Sequence, residues 1–279
     1  MLRIVTDTGS DITHPVAAEL GVELLELEVR FDDFAYDYSN DVDFSVFYAN
    51  LVRSKHLPKT SLVSPAQYLE VFNDAKEKGD EMLAITISGD ISGTYGSGRV
   101  ALEMCDYDGI TLLDSRQCSF SQRVLVEHAV KLRDEGLNRS EIVDELMVLR
   151  SRLSLVVLLD TLKYLKKGGR VPAAMALVGE VLNIKPVVIV REGKIESLAK
   201  VRGFEAGKKI LWQKFAEDGY DASWPVYFGY TFNKERGETF LQETKAKFSL
   251  AECRLFAVGG VIGTHTGPDA VAITYVKKA

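Results

Sequence analysis

Hydroxyl side chains set among glycines can hold an anion, and one stretch concentrates them: Ser88-Gly89-Asp90-Ile91-Ser92-Gly93-Thr94-Tyr95-Gly96-Ser97-Gly98. It follows an apolar run and leads into a helical pattern. Glycine permits positive φ and close backbone approach, and the free N–H groups of a helix N-terminus favour negative charge. The spacing is neither GxGxxG nor GxxxxGK(S/T), so neither common nucleotide signature is present. The plainer reading is a glycine-rich turn in which Ser92 or Thr94 caps the helix. Thr60-Ser61-Leu62-Val63-Ser64-Pro65 is a second candidate, again at a helix start. Ser64 is best placed to cap, which leaves the Thr60 and Ser61 hydroxyls needing partners. Of four histidines, His265 stands in a glycine-rich loop after a strand, Gly259 to Pro268. A neutral imidazole there would hydrogen-bond a ligand, and a protonated one would counter a carboxylate. The plainer reading is a structural loop histidine. His14, His56 and His128 read as surface or helix residues.

Asp7 and Asp11 invite a paired-carboxylate or metal reading. The simpler expectation is that one caps the helix near Pro15 and the other bonds local backbone. Lys163-Tyr164-Leu165-Lys166-Lys167-Gly168-Gly169-Arg170 is locally basic, and Lys185, Lys200 and Arg202 add charge in the same half. That is either a solvated face or an anion or partner surface. No Cys–His or Ser–His–Asp arrangement can be read from the sequence, since such partners need only meet in space.

The elements that must position these residues divide the chain. In the first half, Leu2 to Thr6, Met82 to Ile87 and Ile110 to Leu113 are short apolar runs ending in polar turns, as buried parallel strands do. Helical patterns lie between them. Pro65 to Lys78 has Ser64 as N-cap and Gly79 as C-cap, with Tyr68, Leu69, Phe72 and Ala75 on one face. Gly136 ends a helix through Val124 to Leu132, and Asn138 with Glu141 forms a capping box for the next. In the second half, Leu155 to Leu159, Val187 to Val190, Ile195 to Lys200, Val226 to Tyr230, Leu255 to Val258 and Val271 to Tyr275 read as strands. Arg191-Glu192-Gly193-Lys194 reads as a hairpin turn. Helices are expected over Leu162 to Lys167, Ala173 to Leu182, Phe204 to Ala216 and Lys234 to Phe248. The pattern predicts an N-terminal parallel-sheet α/β domain over residues 1–152. It predicts a C-terminal α+β domain with a largely antiparallel sheet over 153–279.

Composition narrows the function classes. The 279 residues are 46% hydrophobic and 27% charged, ordinary for a soluble globular chain. With 34 Lys plus Arg against 40 Asp plus Glu, the net charge of −6 argues against binding nucleic acid through overall basicity. Three cysteines without short pair spacing argue against a disulfide framework or zinc ribbon. The start, MLRIVTDTGSDIT, lacks the apolar stretch of a signal peptide. The most apolar region, Val171 to Val190, is broken by Pro172, Glu180, Asn183, Lys185 and Pro186, so no stable membrane insertion is expected. The expectation is a soluble, cytoplasmic protein without a metal site.

Taken in order, the blocks resemble the DegV family of bacterial fatty-acid-binding proteins over nearly the whole chain. The resemblance rests on Thr6-Asp7-Thr8-Gly9-Ser10-Asp11, Thr60-Ser61 with Ser64-Pro65, Ile91-Ser92-Gly93-Thr94-Tyr95 and Asp114-Ser115. It continues through Asp160 to Arg170, Asn183-Ile184-Lys185-Pro186 and His265-Thr266-Gly267-Pro268. It implies a two-domain protein with one long-chain fatty acid, such as palmitate, stearate or oleate, buried between the domains. By this resemblance Ser61 and Ser92 hold the carboxylate, with Thr60, Gly93 and Thr94 beside them. His265 approaches the head group and Arg170 helps organise that end. The family pattern also implies presentation of the acid to an ATP-dependent fatty acid kinase that makes acyl-phosphate, a role in lipid transport or fatty acid and phospholipid metabolism. This chain would be the non-catalytic binding subunit, without a cofactor. Lys166, Lys167, Lys200 and Arg202 are then candidates for a kinase-facing surface, and Ala173 to Val178 for tunnel lining. Leu62-Val63 stands where Gln-Pro is common, and Gly89-Asp90 replaces a small or apolar pair, which bears on loop shape and chain preference. The rival reading is an α/β enzyme acting on a phosphorylated small molecule. A third is a regulatory protein controlled by lipid occupancy.

Overall fold

The structure, a computed structural model, describes residues 1–37, 44–170 and 183–278. The apolar runs form the strands. β1 (Leu2–Asp7) and β2 (Val22–Leu25) pair in parallel, and β3 (Val29–Arg30) and β4 (Lys59–Thr60) form a short antiparallel ribbon. β5 (Glu81–Thr86) and β6 (Ile110–Asp114) extend the first sheet to the order β2-β1-β5-β6, all parallel. The carboxyl ends of these strands share one edge. The strand order reverses beside β1, the place where the loops of an open parallel sheet leave a crevice.

The second sheet has the order β11-β10-β12-β7-β8-β9. It is built from β7 (Leu153–Leu158), β8 (Ile184–Arg191), β9 (Lys194–Arg202), β10 (Val226–Tyr230), β11 (Cys253–Ala257) and β12 (Val271–Val276). β10 and β11 are parallel and the remaining pairs antiparallel. The architecture is therefore the mixed α/β arrangement expected, with a parallel N-terminal sheet and a largely antiparallel C-terminal one.

Local chemistry accounts for the helix limits. Ser64 and Asn138 each form the full capping box, with Gln67 and Glu141, at the starts of helices Pro65–Lys78 and Arg139–Arg152. The β8–β9 hairpin turns at Glu192 and Gly193, both at positive φ (48° and 87°), as a two-residue turn matched to strand twist requires. β8 starts earlier than the apolar pattern suggests and takes in Pro186. Pro186 lies opposite the residue after β7, where the ladder is ending, and its carbonyl still accepts the Leu159 N–H at 2.9 Å. The expected helix over Ala173 to Leu182, with its proposed tunnel lining, lies outside the described residues.

Helix Ser119–Asp134 fills the seam between the sheets. Its Phe120, Val124 and Leu125 join one apolar cluster with Ile4 and Leu83 of the first sheet and Leu155, Val190 and Ala272 of the second. Side chains of a strand alternate faces. Val156 and Leu158 accordingly turn to the opposite face, where they pack with Leu211, Phe215 and Phe240 of helices Phe204–Asp218 and Lys234–Phe248. Among the described residues no helix is long and apolar enough to cross a membrane.

Of the expectation for the two early aspartates, the bond to local backbone holds at Asp7, which accepts from Gly9, but neither carboxyl caps the helix at Pro15. Thr13 is the N-cap of helix His14–Leu20. Asp7 accepts N–H groups from Gly9 at 2.9 Å and Ile87 at 2.8 Å, holding the end of β1 to the loop after β5. Asp11 accepts the Gly259 N–H at 2.8 Å and pairs with the Ser119 hydroxyl. A carboxyl that must satisfy distant backbone cannot be assigned from local sequence. Burial pushes Asp7 from 3.8 up to about 6 and Asp11 from 3.8 up to about 7. The folded protein thus holds protons between about pH 4 and 7 that the unfolded chain releases, so both groups make stability fall as pH rises through that window. Asp11→Asn keeps an acceptor for Gly259 and removes one of the two titrations. Urea unfolding at pH 5 and pH 7.5 should show a smaller pH dependence in the variant, by on the order of 1 kcal/mol per pH unit. Equal slopes would contradict the assignment.

Candidate head-group and acyl cavity

Two adjoining cavities lie between the sheets. The first, of about 270 Å³, opens among Thr60, Ser61, Ser92, Gly93, Arg170 and His265, with Leu27, Leu62, Ile87, Ile91, Val261 and Ile262 filling the rest of its wall. The second is a narrow apolar bore of about 70 Å³ among Leu155, Val157, Leu159, Val188, Val190 and Ala272. Ile91, Arg170, Ile262 and His265 line both, so the two cavities adjoin.

Each polar group arrives on its own element. β4 brings Thr60, and Ser61 is fixed to the neighbouring segment. The Ser61 N–H donates to the Glu28 carbonyl at 2.9 Å, and its hydroxyl accepts the Glu28 N–H at 3.0 Å. The loop after β5 brings Ser92 and Gly93 to the N-terminus of helix Thr94–Cys105. A Cβ on Gly93 would lie 2.9 Å from the tip of the exposed Leu62 side chain, which would have to move aside. Thr94 is fully buried and does not line the cavity. It sits behind Ser92, hydroxyl to hydroxyl at 2.9 Å. Short helix Gly260–Thr266 presents His265, whose Nε2 lies 3.1 Å from the Thr60 hydroxyl. The structure therefore brings Thr60, Ser61, Ser92, Gly93, Arg170 and His265 together and leaves Thr94 as a support.

Charge at this end comes from arginine. Burial, and then the nearby Arg170 cation, lower His265 from 6.5 to about 4. The imidazole is therefore neutral near pH 7, and a protonated counter-ion role does not fit its surroundings. Its Nδ1 has no hydrogen-bond partner among the described residues. It packs so close to Gly168 that a Cβ there would lie 2.2 Å away. Arg170 donates to the Gly168 carbonyl at 2.7 Å and the Ile91 carbonyl at 3.3 Å, and forms no ion pair among the described residues. Its positive charge remains available to an anion. Hydroxyls, a helix N-terminus, a neutral imidazole and one guanidinium are together suited to a single carboxylate.

The bore's far wall was not read from the motifs. Phe120 reaches it from the start of helix Ser119–Asp134, against Gly229 in β10. A Cβ on Gly229 would lie 2.2 Å from the Phe120 ring, so this strand glycine is the space the ring occupies. A glycine inside the apolar run Val226 to Tyr230 was the available signal. Of the four basic residues considered for a partner surface, Lys167, Lys200 and Arg202 are exposed and Lys166 is half-buried. Lys200 and Arg202 stand opposite Pro186 and Ile184, at the end of β8 that the Lys185–Asp160 ion pair ties to the turn before helix Lys163–Lys167.

Over residues 1–278 the chain matches the family described as "Uncharacterised protein, DegV family". The chain belongs to the DegV family. It is 31% identical to a DegV domain-containing protein of Caldanaerobacter subterraneus subsp. tengcongensis, over 99% of each chain. Among solved structures it is similar to a fatty-acid-binding DegV family protein from Thermus thermophilus, with 27% identity, a TM-score of 0.88 and 99% of each chain covered. It is also similar to a stearic acid-binding protein from Eubacterium ventriosum, at 28% identity and a TM-score of 0.87, covering 100% of this chain and 99% of that one.

The neutral state of His265 in this DegV chain can be measured. In nitrogen-labelled protein, with His265→Gln for assignment, the His265 ring should keep neutral chemical shifts from pH 8 down to about pH 5. A midpoint close to the ordinary 6.5 would contradict its burial beside Arg170.

Proposed function

We propose that this chain binds one long-chain fatty acid between two domains that meet near residue 152. The acyl chain occupies the apolar bore and the carboxylate the polar cavity. The observation that carries the reading is the adjacency of the two cavities: an apolar bore beside a cavity lined by hydroxyls and the Arg170 guanidinium, with four lining residues in common. A phosphorylated sugar or nucleotide has no use for that bore, and the likeness to fatty-acid-binding relatives points the same way. The energetics support it. Palmitate buries fourteen methylenes at about 0.8 kcal/mol each, on the order of 11 kcal/mol, against an association cost of several kcal/mol. A bilayer offers the chain a comparable home, so retention depends on contacts to the carboxylate. An ionised carboxylate buried without donors would be costly.

In this reading Ser61 and Ser92 donate to the carboxylate. Thr60 accepts from the His265 Nε2–H and turns its own hydroxyl proton toward the same group. Arg170 neutralises it. Phe120 closes the far end of the bore. The double variant Ser61→Ala with Ser92→Ala should fold normally and lose loaded palmitate at least about tenfold faster, since hydrogen bonds to a charged group are worth about 1.5–3 kcal/mol each. Unchanged retention would remove both hydroxyls from the head-group site.

The finer role is that of a carrier, not a catalyst. The chain presents its acid to an ATP-dependent fatty acid kinase, and the cations Lys166, Lys167, Lys200 and Arg202 flank the approach. Lys200→Glu with Arg202→Glu should leave palmitate retention intact and lower kinase-coupled acyl-phosphate formation several-fold. Unchanged coupling would remove this surface from the encounter.

A further inference from the structure

A third cavity lies behind the β8–β9 hairpin, away from the head-group cavity. The hairpin tip rests on the first half of the chain, where the Ser88 hydroxyl donates to the Gly193 carbonyl at 2.7 Å and Lys194 approaches Asp90 at 3.9 Å. The space beside this tip is about 380 Å³, larger than the head-group cavity. Its wall carries five cationic side chains, Arg116, Arg150, Arg191, Lys214 and Lys277, against two acidic ones, Glu192 and Asp218. In a chain of net charge −6 that is a local reversal of sign.

The ion pairs around the cavity do not cancel it. Arg191 pairs with Glu196 at 3.1 Å and Lys214 with Asp218 at 2.5 Å. Arg116, Arg150 and Lys277 form no ion pair among the described residues, although Lys277 acts electrostatically on Asp218. The neighbouring Asp114 carboxylate accepts the N–H groups of Arg116 at 2.8 Å and Gly89 at 3.3 Å through one oxygen and keeps its charge beside Arg150. Arg150 donates instead to the Asp114 carbonyl, at 2.7 Å. Burial and repulsion from Arg116 hold the Arg150 guanidinium below its ordinary pKa. Arg116 is held at a φ of 49°, a left-handed conformation unusual for a residue other than glycine, asparagine or aspartate. Like charges are thus gathered where they repel, with an adopted backbone strain, and Asp114 and Asp218 offset only part of that charge. Gln117 and Ser154 add hydrogen-bonding side chains to the same wall.

We propose that this seam is a binding site for a small phosphorylated anion. Guanidinium forks match phosphate oxygens in pairs, and three unpaired cations call for a ligand carrying at least two negative charges. The cations converge on a cavity of small-molecule size, which a nucleic acid could not enter. The site draws Arg116 and Arg150 from the first half and Lys277 from the second, so the bound anion bridges the two. This goes beyond the fatty-acid reading and does not depend on it.

Pyrophosphate is the probe, titrated calorimetrically into the full chain at fixed ionic strength, with acetate as a singly charged control. The expected result is saturable binding at one site with a Kd below about 1 mM, and no such binding of acetate. The double variant Arg116→Gln with Lys277→Gln removes two cations that make no ion pair. It should weaken pyrophosphate at least about tenfold, with an unchanged melting temperature and unchanged palmitate retention. Absence of saturable binding, equal binding of acetate, or a double variant that binds as the parent does would each overturn the proposal. A parent chain that binds pyrophosphate but retains no palmitate would count against the fatty-acid reading and leave this one standing.

Discussion

The hydrogen bond from the Gly259 amide to the buried Asp11 carboxyl is the contact on which the site depends. Asp11 ends the turn after β1, Ser119 begins the helix that fills the seam, and Gly259 begins the helix that carries His265. One buried carboxyl therefore fixes three segments that are more than a hundred residues apart in pairs. Its burial is costly, as the upward push of its pKa to about 7 records. The cost is offset by the two hydrogen bonds it accepts and by the apolar cluster that closes around Phe120. With this junction in place, His265 reaches Thr60, and Ile262 and Phe120 become walls of one continuous bore.

The seam holds two environments of opposite character. Toward Ser92 and His265 the wall is apolar, with hydroxyls and one unpaired guanidinium, which suits a ligand that is mostly hydrocarbon with a single charge. Toward Arg116 and Lys277 it is polar and strongly cationic. The β8–β9 hairpin touches both: Val188 lines the bore, Ile189 and Arg191 line the cationic cavity, and Val190 lines both. The two spaces thus lie on either side of a single strand, β8.

Much of this was legible in the sequence because it is local. Capping boxes at Ser64 and Asn138, the Glu192-Gly193 turn and the parallel and antiparallel patterns all depend on neighbours within a few residues. The residues that gather around the cavity of about 270 Å³ were legible through the order of their motifs. What stayed hidden is set by distance in space. Asp11 looks like a local cap and instead satisfies Gly259. Thr94 shares a motif with Ser92 but faces inward behind it. The charge state of His265 follows from its burial and from Arg170, neither of which its loop composition reveals. Pro186 looks like a strand breaker, yet it joins β8 where the neighbouring strand is ending. Gly229 left a trace, a glycine inside an apolar strand, but only the structure shows that Phe120 fills the space.

The central claim is that the bore holds an acyl chain, and mass spectrometry of the purified protein under native conditions tests it most directly, repeated after solvent extraction. The account predicts a mass excess equal to one long-chain fatty acid per chain, lost on extraction and recovered as the free acid. A protein that is empty when purified, and that takes up no added palmitate or stearate, would contradict it.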